Sequence, residues 1–147
     1  MATRNLNKKE FETLSDFRYQ LRRFLRFSEE ITRKDGVTHL QYLLMLHIKV
    51  FQDRERATIG ELAERLQSHH HGVVSLVSRC ESLGLVYREQ GKTDRREVRV
   101  KLTPAGDKLV KKLARLHRDE LLKLQGIFQV PSVEDLVVSE LSLSARI

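Results

Sequence analysis

Residues 58–106 read TIGELAERLQSHHHGVVSLVSRCESLGLVYREQGKTDRREVRVKLTPAG, and one change of hydrophobic period inside this stretch decides the fold. Up to Gly84 the apolar residues recur every three or four positions; beyond it they alternate. Thr58-x-x-Glu61 has the form of a capping box, which satisfies free amides at a helix start. It opens a short helix with Ile59, Leu62, Ala63 and Leu66 on one face. After a turn at Gln67-Ser68, a second helix runs from His69 to about Leu83 and is ended by Gly84. Val73, Leu76, Val77, Cys80 and Leu83 cluster on one side of it. His71, Ser75, Ser78, Arg79 and Ser82 lie on the other, with Glu81 at the margin. Leu85–Glu89 and Glu97–Leu102 then read as strands. In the second, Val98, Val100 and Leu102 alternate with Glu97, Arg99 and Lys101.

The order helix, turn, helix, strand, basic loop, strand is the plan of a winged helix-turn-helix. A helix with a small polar outer face fits a DNA major groove, and Gly72 removes a side chain near its start. The hairpin carries Arg88, Lys92, Arg95, Arg96, Arg99 and Lys101 against Glu89, Asp94 and Glu97. Such a basic loop can reach phosphates or the adjacent minor groove. The residues expected at DNA are His70, His71, Ser75 and Arg79 on the helix, with Lys92, Arg95 and Arg96 on the wing. His70, His71 and Ser75 belong to the first turns, which enter a groove deepest, so base edges are assigned to them and phosphate to Arg79.

Outward from this stretch the chain reads as helices. Residues 7–33 carry Phe11, Leu14, Phe17, Leu21, Phe24 and Phe27/Ile31 as one apolar stripe, and Gly36 ends that helix. Thr38-x-x-Gln41 caps a second helix in which Leu40, Leu43, Leu44, Leu46 and Val50 predict a central position. Thr103-Pro104 starts a helix of about 22 residues, with Val110, Leu113, His117, Leu121, Leu124 and Phe128 in step. Ser132-x-x-Asp135 caps a last short helix to about Leu143. The expected architecture is mainly α with a small β-hairpin wing. It divides into an N-terminal dimerisation helix (1–36), a winged helix-turn-helix (37–103) and C-terminal dimerisation helices (104–147). The apolar stripes at both ends exceed what so small a core covers, which predicts a homodimer.

Composition agrees. The chain has 147 residues, 40% hydrophobic and 32% charged, and a net charge of +7 that favours a polyanionic partner. A single cysteine excludes an intramolecular disulfide and argues against a Cys-based zinc site. No apolar run approaches the ~18 residues of a membrane span, and the N-terminus lacks a signal-peptide core. The cytoplasm is the expected location.

These residues resemble the MarR family of bacterial regulators. The resemblance rests on Thr58–Leu66, Val73–Arg79, Gly84-Leu-Val86, and Asp94-Arg-Arg96 followed by Leu102-Thr-x-x-Gly106. It implies a homodimer with interlocked terminal helices and a pseudo-palindromic double-stranded DNA operator. It further implies a repressor under small-molecule, phenolic-type control, with Phe17, His39 and His47 as candidate effector-binding residues. It also implies that Asp94 pairs with Arg96 and stiffens the wing, leaving Arg95 free for DNA. The chain departs from the family at Ser78, where Asp is common, at Cys80, where Leu is common, and at His69-His70-His71.

Consecutive helical residues point about 100° apart, so the three histidines cannot converge on one ion; no metal or cofactor is expected. Cys80 falls on the apolar face and reads as a small hydrophobe. No Gly-rich phosphate loop, Ser/His/Asp ordering or metal-ligand spacing suggests an enzyme, and Glu29-Glu30 read as solvated. The alternative is a winged helix used only for protein contact, which would favour an acidic or apolar face on the second helix.

Overall fold

The computed structural model describes residues 4–51 and 57–137. The elements run α1 (Lys8–Lys34), α2 (His39–Phe51), α3 (Ile59–Leu66), α4 (His70–Ser82), β1 (Val86–Gln90), β2 (Val98–Leu102) and α5 (Pro104–Lys123). Residues Ser28–Arg118 form one compact unit; those up to Phe27, with those from Asp119 onward, form another. The division falls inside α1 and α5. Burial is the reason: Ser28 and Thr32 of α1, and Val110, Leu113 and His117 of α5, are buried. Each of these residues belongs to the Ser28–Arg118 unit.

Local sequence sets the helix ends. The box at Thr38 closes reciprocally: its N–H donates to Gln41 Oε1 at 2.9 Å, and Gln41 N–H donates to Thr38 Oγ1 at 3.1 Å. Glu61 N–H donates to Thr58 Oγ1 at 3.2 Å, and the Ser132–Asp135 box closes at 2.9 and 3.2 Å. Three helices end in the same turn, in which an amide reaches back five residues and its predecessor three. In α1 these are Val37 to Thr32 and Gly36 to Arg33; in α3, Ser68 to Ala63 and Gln67 to Glu64; in α4, Leu85 to Cys80 and Gly84 to Glu81. The turn needs a left-handed residue. Gly36 and Gly84 supply it at φ +80° and +74°, but α3 uses Gln67 at φ +50°.

The stripe read through Phe128 outlasts its helix. α5 stops at Lys123, and Gly126 takes φ +85° in the turn that follows. Phe128 then stacks on Phe17 at 6.1 Å and on Phe24 at 5.9 Å between ring centroids. The helix expected after Ser132 begins at Val133; its continuation to Leu143 and the polar loop 52–56 lie outside the described residues. No helix among the described residues is long and apolar enough to cross a membrane.

α2 is central, but not through all the residues expected. Tyr42, Leu44, Met45, Ile48 and Phe51 are buried, whereas Leu40 and Val50 are 47% and 55% exposed. The α2 core face shares one buried cluster with Leu62 of α3, Val73, Val77 and Cys80 of α4, Val86 and Val100 of the hairpin, and Val110 and Leu113 of α5. His117 is enclosed there. Its ring stacks on Tyr42 at 4.3 Å, its Nδ1 lies 2.7 Å from Leu113 O, and its Nε2 lies 2.8 Å from Ser28 Oγ.

β1 and β2 pair antiparallel from Val86↔Leu102 to Gln90↔Val98. β2 gains a second neighbour: Thr58 bridges Arg99, and Val100 N–H donates to Ala57 O at 2.8 Å. Cover on that side buries Arg99 to 6% exposure, while Val98, beyond the core edge, is 37% exposed. The strict alternation read from β2 therefore fails at these two positions.

Cys80 is fully buried, and burial raises its thiol pKa from 9.0 to about 11. At pH 8 this lowers the thiolate fraction about a hundredfold, so native Cys80 should resist alkylation until the protein unfolds. Cys80→Ser should lower stability by roughly 1 kcal/mol or more in urea denaturation, because a hydroxyl replaces a thiol against apolar neighbours. Rapid alkylation of the native protein would contradict this.

Candidate DNA interface

α4 buries Val73, Val77 and Cys80. This fixes its rotation and leaves His70, His71, Ser75, Ser78, Arg79 and Ser82 exposed. His71, Ser75 and Ser82 share the face opposite the core, and Arg79 stands at its edge. His69 is the N-cap but makes no side-chain cap hydrogen bond; its ring stacks on His71 at 6.2 Å. No group of three or more metal-ligating side chains converges among the described residues.

The wing holds fewer free cations than its sequence carries. Arg99 is buried near Glu97. Lys101 donates across the hairpin to Glu89 at 3.0 Å; that hydrogen bond holds the Glu89 carboxyl below its ordinary pKa and the Lys101 amine above its own. Arg88 turns back onto α4 and pairs with Glu81 at 3.0 Å. Neither role was visible in the sequence, although Glu81 at the margin of the polar face was the signal for Arg88. Lys92, Arg95 and Arg96 remain at the exposed tip.

The tip is tightly built. Gly91 N–H donates to Glu97 O at 2.8 Å, and Glu97 N–H to Asp94 O at 3.1 Å. A Cβ on Gly91 would lie 2.4 Å from Asp94 O, so the turn requires glycine. Asp94 Oδ1 accepts from Arg96 N–H at 3.0 Å and lies 3.6 Å from Arg96 Nε. Arg95 contributes its carbonyl, which accepts from Gln90 Nε2 at 2.8 Å, while its side chain makes no ion pair among the described residues.

Arg95→Ala should therefore weaken DNA binding and flatten its salt dependence by about one ion. Asp94→Ala should also weaken binding, although it removes a charge that repels phosphate, because the backbone at Arg96 loses its acceptor. Fluorescence anisotropy at several salt concentrations separates the two effects. Tighter binding by Asp94→Ala would mean that charge alone governs the tip.

The three effector candidates fall in separate surroundings. His39 lines a cavity of about 420 Å³ with Arg33, Gln41, Leu76 and Arg79. His47 does not line it; burial and the nearby Arg65 hold its imidazole below the ordinary pKa. Phe17 lines a cavity of about 240 Å³ with Asp16, Gln20 and Ile127.

Comparison with known proteins places this geometry. Residues 35–97 match the sequence profile of the MarR family. The chain matches none of the curated proteins compared by sequence. Its fold is similar to AbsC, a MarR family transcriptional regulator from Streptomyces coelicolor, at 22% identity and TM-score 0.74, covering 98% of this chain and 95% of that one. It is also similar to MepR, a transcription regulator of the Staphylococcus aureus multidrug efflux pump MepA, at 20% identity and TM-score 0.68, covering 88% and 92%. The S. aureus MepR–DNA complex matches at 21% identity and TM-score 0.69, again covering 88% and 92%. The chain thus has a winged helix-turn-helix fold, and its residues 35–97 are similar in sequence to the MarR family.

Proposed function

We propose that the chain is a homodimeric, sequence-specific DNA-binding transcription regulator that represses from a pseudo-palindromic operator in the cytoplasm. α4 enters the major groove, where His70, His71 and Ser75 read base edges and Arg79 meets phosphate. Lys92, Arg95 and Arg96 reach flanking phosphates or the adjacent minor groove. One observation carries this reading: Glu81, the only acid of α4, is drawn onto Arg88. A polar face without free negative charge is left beside a cationic tip. That MepR, whose fold is similar, has a structure in complex with DNA supports DNA as the partner.

Homodimerisation draws on apolar groups exposed in the terminal unit, including Phe11, Leu122, Ile127 and Val130. Groups of this size are normally covered in a soluble protein. Sedimentation at micromolar concentration should give twice the 17.2 kDa chain; a strictly monomeric particle would refute it. Affinity for duplex DNA should fall steeply with salt as counterions are released. Salt-independent binding, or binding only to proteins, would favour a protein-contact module.

Small-molecule control is assigned to the His39 cavity, whose Arg33 and Arg79 suit a phenolic acid. A phenolic acid that raises the melting temperature and releases DNA is the expected result, and His39→Ala should abolish both effects. Loss of neither effect would move the site elsewhere.

A further inference from the structure

Arg88 is a wing cation that faces α4 rather than the exposed tip. Its Nη1 donates to Glu81 Oε1 at 3.0 Å. Its Nη2 donates to Val74 O at 3.0 Å and to Ser78 Oγ at 2.8 Å. The Arg88 backbone N–H donates to the second Glu81 oxygen, Oε2, at 3.1 Å. One residue of β1 is thereby fastened to three residues spread over two turns of α4. These bonds leave Ser78 engaged, although it lies on the polar side of the helix.

The two strands of the wing are held differently. β2 is anchored to Ala57 and Thr58. β1 pairs only with β2 among the described residues, and its outward amide at Arg88 goes to Glu81. Simple electrostatics disfavours a carboxylate at position 81 twice over. It stands in the last turn of a helix, at the negative end of the dipole, on an element read as facing phosphates. Its bonds to Arg88 give it a use that offsets both penalties.

We propose that Glu81 and Arg88 are positioning residues that lock the wing to the recognition helix and preset the angle at which the two meet DNA. The proposal rests on the reading of α4 and the wing as one DNA interface. Two contact sets engage one stiff duplex together only if their relative orientation is fixed beforehand; otherwise binding must supply the ordering. A planar guanidinium suits this role because it satisfies several acceptors in a fixed fork, which an ammonium cannot do.

The test compares wild type, Glu81→Ala and Arg88→Lys on a duplex selected by the wild-type protein from a random pool, across a series of salt concentrations. Both variants should bind about tenfold more weakly, as expected for loss of charge-assisted hydrogen bonds, with the salt slope unchanged. Amide exchange in the DNA-free protein should show Arg88 N–H losing protection in Glu81→Ala. If Glu81→Ala tightens binding, or Arg88→Lys binds as wild type does, Arg88 acts only as a charge and the lock is wrong. If wild type selects no duplex, the DNA reading fails instead. Exchange at Arg88 then decides the lock by itself: protection retained in Glu81→Ala overturns it.

Discussion

Gly106→Ala is expected to destabilise the protein by about 3 kcal/mol or more, among the largest effects available to a single methyl group. A Cβ at this position would lie 2.0 Å from Leu85 O and 2.9 Å from Leu85 C, so backbone would have to move. Little slack exists there. Thr103 N–H donates to the same Leu85 O at 3.0 Å. Thr103 Oγ1 donates to Gly84 O at 2.7 Å and accepts from Gly106 N–H at 3.0 Å. The start of α5 is thus pressed onto the turn that ends α4 and begins the wing, so a shift there would move both. Gly60→Ala is the control. Its Cβ would meet only Thr58 Oγ1, at 4.0 Å, so it should be neutral or stabilise by up to about 1 kcal/mol through helix propensity. Urea denaturation of both variants checks this. A cost below about 1 kcal/mol for Gly106→Ala would mean that the contact with Leu85 relaxes freely.

His71→Ala should cost about 1–3 kcal/mol of affinity on the preferred DNA site and much less on scrambled DNA. His71 lies exposed in the first turn of α4, with Ser75 one turn later on the same face. A neutral imidazole can donate or accept at a purine edge. Arg79 stands at the edge of that face and lines the His39 cavity. Arg79→Ala should weaken both DNAs nearly equally, as loss of a phosphate contact does. Competition binding with the two DNAs separates base contact from backbone contact. Equal losses for His71→Ala on both would reassign the histidine to phosphate.

Much of the fold was legible because its determinants are local. Capping boxes at Thr38, Thr58 and Ser132, the glycine turns after α1 and α4, and the change of period after Gly84 each depend on residues a few positions apart. What failed depended on distant neighbours. Arg99 reads as an outward cation until the segment bridged at Thr58 lies beside it. Leu40 and Val50 read as core by their chemistry, yet their positions on α2 turn them outward. The end of α5 was missed because Gly126 interrupts a stripe whose spacing continues to Phe128. Asn7, whose Oδ1 accepts from Glu10 N–H at 2.9 Å, is a helix-start signal the sequence does offer. At the candidate interface, the exposure of the α4 outer face could be read directly, and the Asp94–Arg96 pairing followed from the family resemblance. The return of Arg88 to Glu81 could not, because it requires the angle between hairpin and helix.

The most direct test of the account is selection of duplex DNA from a random pool, followed by competition of the selected sequence against a scrambled one at fixed salt. The account predicts an inverted repeat with half-sites about one helical turn apart, bound about a thousandfold or more tightly than the scrambled duplex. Enrichment of no sequence, with equal affinity for both duplexes, would contradict it.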